Sequence, residues 1–394
     1  MPPIHRPDPL RVAALCAFQF PAPQGSQVFA GQQALALRRA GLDVELFCYG
    51  RGAGDPPPAL PLQRAPAWST PRSYRAGPKL RKPLADLALG WMLLRAHRRR
   101  AFDVVLAHNA EAALLALALR ARTGIPCVYV AHTLLGVELR CYAPARLGGT
   151  ADRLGAQLDQ QLARHSDAVL ALSENARKAL LPHTDRPVVQ IPPGLDPGPA
   201  PHQDAVREMS RRHGLSPGGF ALYAGNLDAY QDLASLQQAA AQLRGLPVVV
   251  ATHGPPRRLD PLRVLRVPDA ESVRTLSFGA ALAVAPRRHV GGFPIKLLNY
   301  MEASLPIVAR AEQDLGLTHD RDAWLVAPHA SPTDFAHALR TLFADPERAR
   351  RLGRAGRAHL EGHHHWPDLA ARTHALLREV CNAPQHPRVP RESG

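Results

Sequence analysis

The 394-residue chain predicts an α/β protein made of two units. Three observations carry this. Short apolar runs rich in Val, Ile and Leu alternate with longer helical stretches, the pattern of a parallel sheet with crossover helices. The alternation starts afresh in the second half, with a strand at 220–224. Between the halves stands Pro192-Pro193-Gly194-Leu195-Asp196, followed by the proline-containing segment 197–201, which reads as a linker and sets a boundary near residue 197.

Residues 11–18 (RVAALCAF) predict the first strand, 27–40 a helix and 44–49 the second strand. Gly25-Ser26 falls at the carboxyl end of the first strand, where open α/β sheets bind ligands. The proline-rich residues 53–71 predict an irregular surface excursion. Residues 84–100 predict a helix with Leu84, Leu87, Ala88, Trp91 and Leu94 on one face, expected to cover the sheet. Lys79, Arg81 and Lys82 precede it and Arg95, Arg98, Arg99 and Arg100 close it, so the same helix also fits an anionic lipid surface.

A strand at 103–108, a helix at 111–121 and a strand at 126–132 follow, with His108 and His132 at the two strand ends. A histidine in that position of a cleft can donate or accept hydrogen bonds near neutral pH. Next come a helix at 151–164, a strand at 168–172, a helix opened by the N-cap run Ser173-Glu174-Asn175, and a strand at 188–191. In the second half Gly225-Asn226-Leu227-Asp228 and then Gln231 follow the opening strand. Further short strands are expected at 247–252, 262–267, 282–285 and 324–326. The last helix is expected at 367–380, and the Pro- and Arg-rich tail 382–394 reads as disordered.

The chemistry gathers at 287–309, RRHVGGFPIKLLNYMEASLPIVA. Gly291 and Gly292 lack a Cβ, so another molecule can come close to the backbone. Pro294 suits a first helical turn, Leu297, Leu298 and Met301 recur at helical spacing, and 305–309 reads as a strand. Lys296 is a cation in that first turn, where the helix dipole favours anions. It makes sense with a phosphate bound there; the plain alternative is a solvated surface lysine.

Composition narrows the field. The five cysteines are scattered, which fits reduced, buried thiols rather than a disulfide framework or a metal cluster. The first residues carry no apolar run of the signal-peptide kind, and no run approaches the ~18 apolar residues of a membrane span. The net charge of +15 attracts phosphates of lipid, nucleotide or nucleic acid. No aromatic-plus-basic strand pattern or zinc-finger spacing accompanies it, which argues against nucleic acid as a partner. His363, His364 and His365 are adjacent and cannot all face one ion, so no metal is expected.

The stretch 287–309 resembles the sugar-nucleotide motif of GT-B glycosyltransferases, most closely the retaining enzymes of family 4 (group 1). Gly292-Phe293 matches its Gly-Phe, and Pro306-Ile307-Val308 its strand. Gly291 and Asn299 stand where the motif has acidic residues. Asn226 and Gln231 stand where the family has the Arg and Lys that bind the donor diphosphate. The resemblance spans residues 10–380. It implies two Rossmann-like α/β/α domains facing across a cleft: an acceptor domain at 1–197, with helix 367–380 packing back on it, and a donor domain at 198–366. It implies transfer of a sugar from a nucleoside-diphosphate sugar to a glycan or lipid-linked acceptor, without metal or other cofactor, in the cytoplasm or at the inner membrane face. His132 and Lys296 would be catalytic. Gly225, Asn226, Gln231, Arg287, Gly291, Gly292, Phe293 and Asn299 would hold the donor, and Gly25 and Ser26 would face the acceptor. The replaced acids and cations keep two other readings open: a scaffold that has lost catalysis, and a sugar-nucleotide epimerase or phosphorylase on the same fold.

Overall fold

The computed structural model describes residues 9–71, 82–142, 147–228, 231–288, 292–311 and 315–383. Gly291, Lys79, Arg81 and the tail from residue 384 lie outside them.

The first sheet holds β1 (Arg11–Gln19), β2 (Asp43–Tyr49), β3 (Leu62–Arg64), β4 (Val104–His108), β5 (Cys127–Ala131), β6 (Ala168–Ala171) and β7 (Val188–Gln190). Its order is β3-β2-β1-β4-β5-β6-β7, every pairing parallel, with Val12 of β1 between Val44 and Val104. Helices cover both faces, which is why these strands are apolar throughout rather than alternating. Helix α1 (Gly25–Arg39) packs on one face. Helices α2 (Lys82–Arg99), α3 (Ala110–Thr123) and α5 (Gly148–His165) pack on the other. Helix α4 (Leu135–Tyr142) lies against α5, and α6 (Glu174–Leu180) precedes β7.

The second sheet holds β8 (Ala221–Ala224), β9 (Val248–Thr252), β10 (Arg263–Arg266), β11 (Leu282–Ala285), β12 (Ile307–Arg310) and β13 (Trp324–Val326), in the order β10-β9-β8-β11-β12-β13, again all parallel. Its helices are α7 (Gln203–Arg212), α8 (Leu233–Ala240), α9 (Ala270–Gly279), α10 (Lys296–Glu302), α11 (Pro332–Ala344) and α12 (Pro346–His363). In both sheets the chain starts in the middle, winds outward, and then crosses to the other side. The reversal falls between β1 and β4 in one and between β8 and β11 in the other, and crevices for ligands open at such points beyond the carboxyl ends of the strands.

The chain crosses between the units twice, and the crossings are tied together. Leu195 N–H donates to His364 O at 2.8 Å, the His364 ring Nδ1–H to Pro193 O at 2.6 Å, and Trp366 N–H to Asp196 Oδ1 at 3.0 Å. The chain then returns as α13 (Trp366–Asn382), whose Leu369, Leu376 and Leu377 join the core of the first sheet beside α1. The linker is held to the second unit by buried Glu302, which accepts from Gly198 N–H and pairs with Arg274. No helix among the described residues is long and apolar enough to cross a membrane.

Two sequence expectations need correction. Helix α2 covers the sheet with Ala85, Leu89 and Leu93, not with the expected face; Leu84, Leu87 and Trp91 point outward at 43%, 69% and 60% exposure. Burial on this helix followed fit to the sheet rather than side-chain bulk. The proline-rich 53–71 is not only a surface excursion. Its residues 62–64 form edge strand β3, and Leu60, Ala65, Ser69 and Thr70 are buried. Proline is tolerated at a sheet edge, where one side of the strand has no ladder to make. Helices α4 and α7 were not foreseen either.

Candidate functional site

The two topological reversals face one another. In the first sheet the loop after β1 carries Gly25 and the end of β4 carries His108. In the second the loop after β8 carries Gly225 and the loop after β11 carries Arg287. A Cβ on Gly25 would stand 3.6 Å from Cδ1 of Ile295, the residue before α10. Gly292 has φ of +75°, and a Cβ there would stand 2.4 Å from His132 O and 2.9 Å from Thr133 Oγ1. A side chain at this position would therefore collide with the first unit, which is why the loop needs glycine.

Lys296 lies at the centre of the second unit's share of the site. Its Nζ donates to Gln231 Oε1 at 2.9 Å and sits 4.0 Å from the centroid of the Tyr223 ring. It makes no ion pair among the described residues. Desolvation by its packed neighbours, with Arg287 adding repulsion, lowers its pKa well below the lysine value. Gly225, at φ +151°, leaves room for this ammonium: a Cβ there would be 3.0 Å from Nζ. Gln231 is buried and passes the contact on, its Nε2 donating to Asn226 Oδ1 at 3.0 Å, while Asn226 Nδ2 donates to Asp228 Oδ2 at 2.8 Å. The two amides expected to face a diphosphate are thus engaged with each other and with Asp228.

The neighbouring cations are differently placed. Arg288 donates to Asp232 Oδ2 at 2.6 Å and to Ser235 Oγ at 2.9 Å. Asp232, in the left-handed region at φ 55°, also accepts from buried Arg310 at 2.9 Å. Neither Asp232 nor Arg310 was singled out from sequence; the only hint was an arginine closing the apolar strand 307–310. Phe293 packs on His364, ring centroids 5.1 Å apart, and so anchors the loop to the crossing. Asn299 lies in the middle of α10, partly buried, and Ser26 in the first turn of α1.

On the first unit's side His132 and His108 are both buried, with His108 Nδ1 and His132 Nε2 3.0 Å apart. Burial lowers both pKa values, His108 to about 3, so both rings are neutral near pH 7. His108 Nε2 is buried without a partner. A proton there would be an orphaned donor, which native structures avoid more strictly than an orphaned acceptor. The proton is therefore assigned to His108 Nδ1, donating to His132 Nε2, and His132 carries its own proton on Nδ1. Phe29 meets both rings edge-on, at centroid distances of 6.1 and 5.2 Å. Among the described residues no group of three or more His, Cys, Asp or Glu could hold a metal ion.

Residues 23–198 match the family model described as Glycosyltransferase Family 4, and residues 220–345 the one described as Glycosyl transferases group 1. The chain belongs to the family 4/group 1 glycosyltransferases. This glycosyltransferase is 27% identical over 406 residues to a D-inositol 3-phosphate glycosyltransferase of Gordonia bronchialis, covering 90% of this chain and 85% of that one. A D-inositol 3-phosphate glycosyltransferase of Mycolicibacterium paratuberculosis is also 27% identical, over 412 residues, covering 89% and 86%. Its fold is similar to that of sucrose-phosphate synthase from Thermosynechococcus elongatus, with a TM-score of 0.81 at 18% identity over 95% of this chain and 100% of that one. Anabaena HepE in complex with UDP-glucose gives 0.73 at 13%, over 94% and 100%. The glycosyltransferase is thus of the GT-B type, two parallel-sheet domains with their crevices opposed.

Proposed function

We propose that the protein transfers a sugar from a nucleoside-diphosphate sugar to a hydroxyl of a glycan, polyol or lipid-linked acceptor, with retention at the anomeric carbon. The observation that carries this reading is Lys296. It is a partly buried, desolvated cation whose partners are an amide and an aromatic ring, with Arg287 adding positive charge from the loop after β11. A diphosphate supplies the missing anion, and charge-assisted bonds to phosphate are roughly twice as strong as neutral ones. The similar HepE structure holds UDP-glucose, which supports a nucleotide sugar as donor. In this reading Lys296 and the Gly225 and Gly292 backbones stabilise the leaving diphosphate, and His132 faces the sugar from the first unit. The diphosphate charge is met by side chains, with no metal called for. Thermal-shift measurements with UDP, GDP and ADP test it: the matching nucleotide at about 100 times its dissociation constant adds about 2.7 kcal/mol of stability. No shift with any of them refutes the reading.

We place the protein in the cytoplasm, at an anionic membrane face. Cys16, Cys48, Cys127 and Cys381 are free thiols, and the outward face of α2 combines Leu87 and Trp91 with Arg95, Arg98 and Arg99. Apolar side chains beside arginines suit a negatively charged bilayer surface. Sedimentation with anionic vesicles should fall on Leu87→Ser/Trp91→Ser replacement and with added salt; unchanged binding rules out this face.

A further inference from the structure

The two neighbours of β8 part from it at different heights. With β9 it pairs from Ala221 to Ala224. With β11 the pairing ends at Leu222 and Ala283, although β11 itself runs on beside β12 to Ala285. The second sheet thus splits between β8 and β11, at its topological reversal and beside the Gly225 turn.

An N–H group is stranded at the split. The amides of Ala221 and Gly225 donate to Pro247 O and Ala251 O, towards β9. Along a parallel strand the ladder bonds alternate between the two neighbours, so the Ala224 N–H faces β11, where the ladder has stopped. Ala224 is buried, and an unpaired donor there would be costly. The acceptor comes from α10. Fully buried Tyr300 places its hydroxyl 2.7 Å from Ala224 N, and its ring shares an apolar cluster with Ala224 and Ala285. Burial raises the pKa of this phenol, so it accepts as a neutral hydroxyl.

The same turn is held at two further points. Lys296, one helical turn before Tyr300, reaches Gln231 beyond the turn. The Tyr223 hydroxyl donates to Asn226 O at 2.8 Å. Gly225 is therefore fixed from both sides, Ala224 by one tyrosine and Asn226 by the other, with the Lys296 ammonium against it.

We propose that Tyr300 is a positioning residue for the transfer reaction. Its hydroxyl takes the place of the missing ladder acceptor, keeps β8 and β11 apart, and sets the Gly225 backbone beside Lys296. The inference rests on the nucleotide-sugar reading, in which Gly225 and Lys296 meet the leaving diphosphate.

Tyr300→Phe in the full chain tests it, since the ring stays and only the acceptor goes. In calorimetric titrations with UDP, GDP and ADP, the matching nucleotide should bind about tenfold more weakly, the effect of a displaced contact group. Hydrogen exchange should quicken in residues 221–226 and stay unchanged in β12. Leu342→Val, in the core on the opposite face of the same sheet, is the control, and it lowers stability without moving the affinity. Equal weakening in Leu342→Val would make the Tyr300 effect one of stability alone and overturn the inference, as would wild-type affinity in Tyr300→Phe. Should Tyr300→Phe not fold, Tyr223→Phe carries the test. It keeps the ring beneath Lys296, frees the turn at Asn226 and must also weaken the nucleotide; unchanged affinity there overturns the inference. Wild-type protein that binds none of the three nucleotides removes the nucleotide-sugar reading. Faster exchange of 221–226 in Tyr300→Phe then still upholds Tyr300 as the wedge between β8 and β11, and unchanged exchange overturns that as well.

Discussion

Gln231 and Asp232 are neighbours in sequence, and each receives a cation brought from far along the chain. Asp232 takes Arg310, which is 1% exposed. The guanidinium there spends its other donors on Pro286 O at 2.9 Å, Pro328 O at 3.0 Å and Ala330 O at 2.9 Å, and lies 4.8 Å from the Phe335 ring centroid. Gln231 takes Lys296 and offers it one amide oxygen. The first cation is complete: charge, hydrogen bonds and packing are all matched within the fold. The second has a place but no counter-charge. The difference separates a cation matched within the fold from one whose counter-charge, in the function proposed, is the donor diphosphate, although both read as lone basic residues beside apolar runs.

The comparison is broken most severely at Arg310. Arg310→Ala leaves three carbonyls without their donor and Asp232 with Arg288 as its remaining cation, and removing one partner of a buried pair costs about 3–5 kcal/mol. Chemical denaturation should show a loss of that size, with nucleotide affinity of the remaining folded protein little altered. A loss below about 1 kcal/mol would mean that the fork of contacts is not what closes the end of β12.

At Lys296 the signs reverse. Lys296→Ala should leave the apo fold nearly as stable, since a desolvated charge goes with the contact. It should lower turnover about a hundredfold, the usual cost of one donor to a developing anion, near 3 kcal/mol. Gln231→Glu sharpens the contrast by giving Lys296 the carboxylate that Arg310 already has. The apo protein should gain stability, and affinity for the diphosphate should drop about tenfold, because the ammonium is now neutralised. Stronger nucleotide binding in the Glu variant would contradict the assignment.

Much of the fold was legible because fully buried parallel strands must be apolar on both faces, so the runs at 11–18, 104–108 and 282–285 announce themselves. Which face of α2 is buried was not legible. Leu87 and Trp91 are bulkier than Ala85 and Leu93, yet they stay exposed, and only the shape of the sheet decides between the two faces. Edge strand β3 was hidden by prolines that an edge tolerates. At the site, Gly225, Gln231 and Lys296 were named from sequence and lie together in the fold. Their arrangement was hidden, since Lys296 reaches Gln231 across 65 positions and Arg310 reaches Asp232 across 78. Tyr223 reads as one more strand residue, and its ring under the ammonium emerges only when β8 and α10 are brought together.

The smallest expected effect is a proton. Lys296 has a lowered pKa in the folded protein, chiefly from desolvation and then from Arg287, while the unfolded chain keeps the ordinary value of 10.5. Between these two values the unfolded chain holds more protons than the native one, so apo stability rises with pH through that window. The penalty is fully present below the folded value and relieved above the unfolded one. A bound diphosphate favours the charged form and moves the folded pKa back up. Binding within the window must therefore take up a fraction of a proton. Titrating the matching nucleoside diphosphate in two buffers of different ionisation enthalpy, at pH values stepped from the acid side up towards 10.5, measures that uptake. It should grow as pH enters the window and be absent in Lys296→Met, whose affinity is lower but whose binding carries no lysine protonation. Equal uptake in both proteins would assign the proton to another group and leave Lys296 charged before the anion arrives.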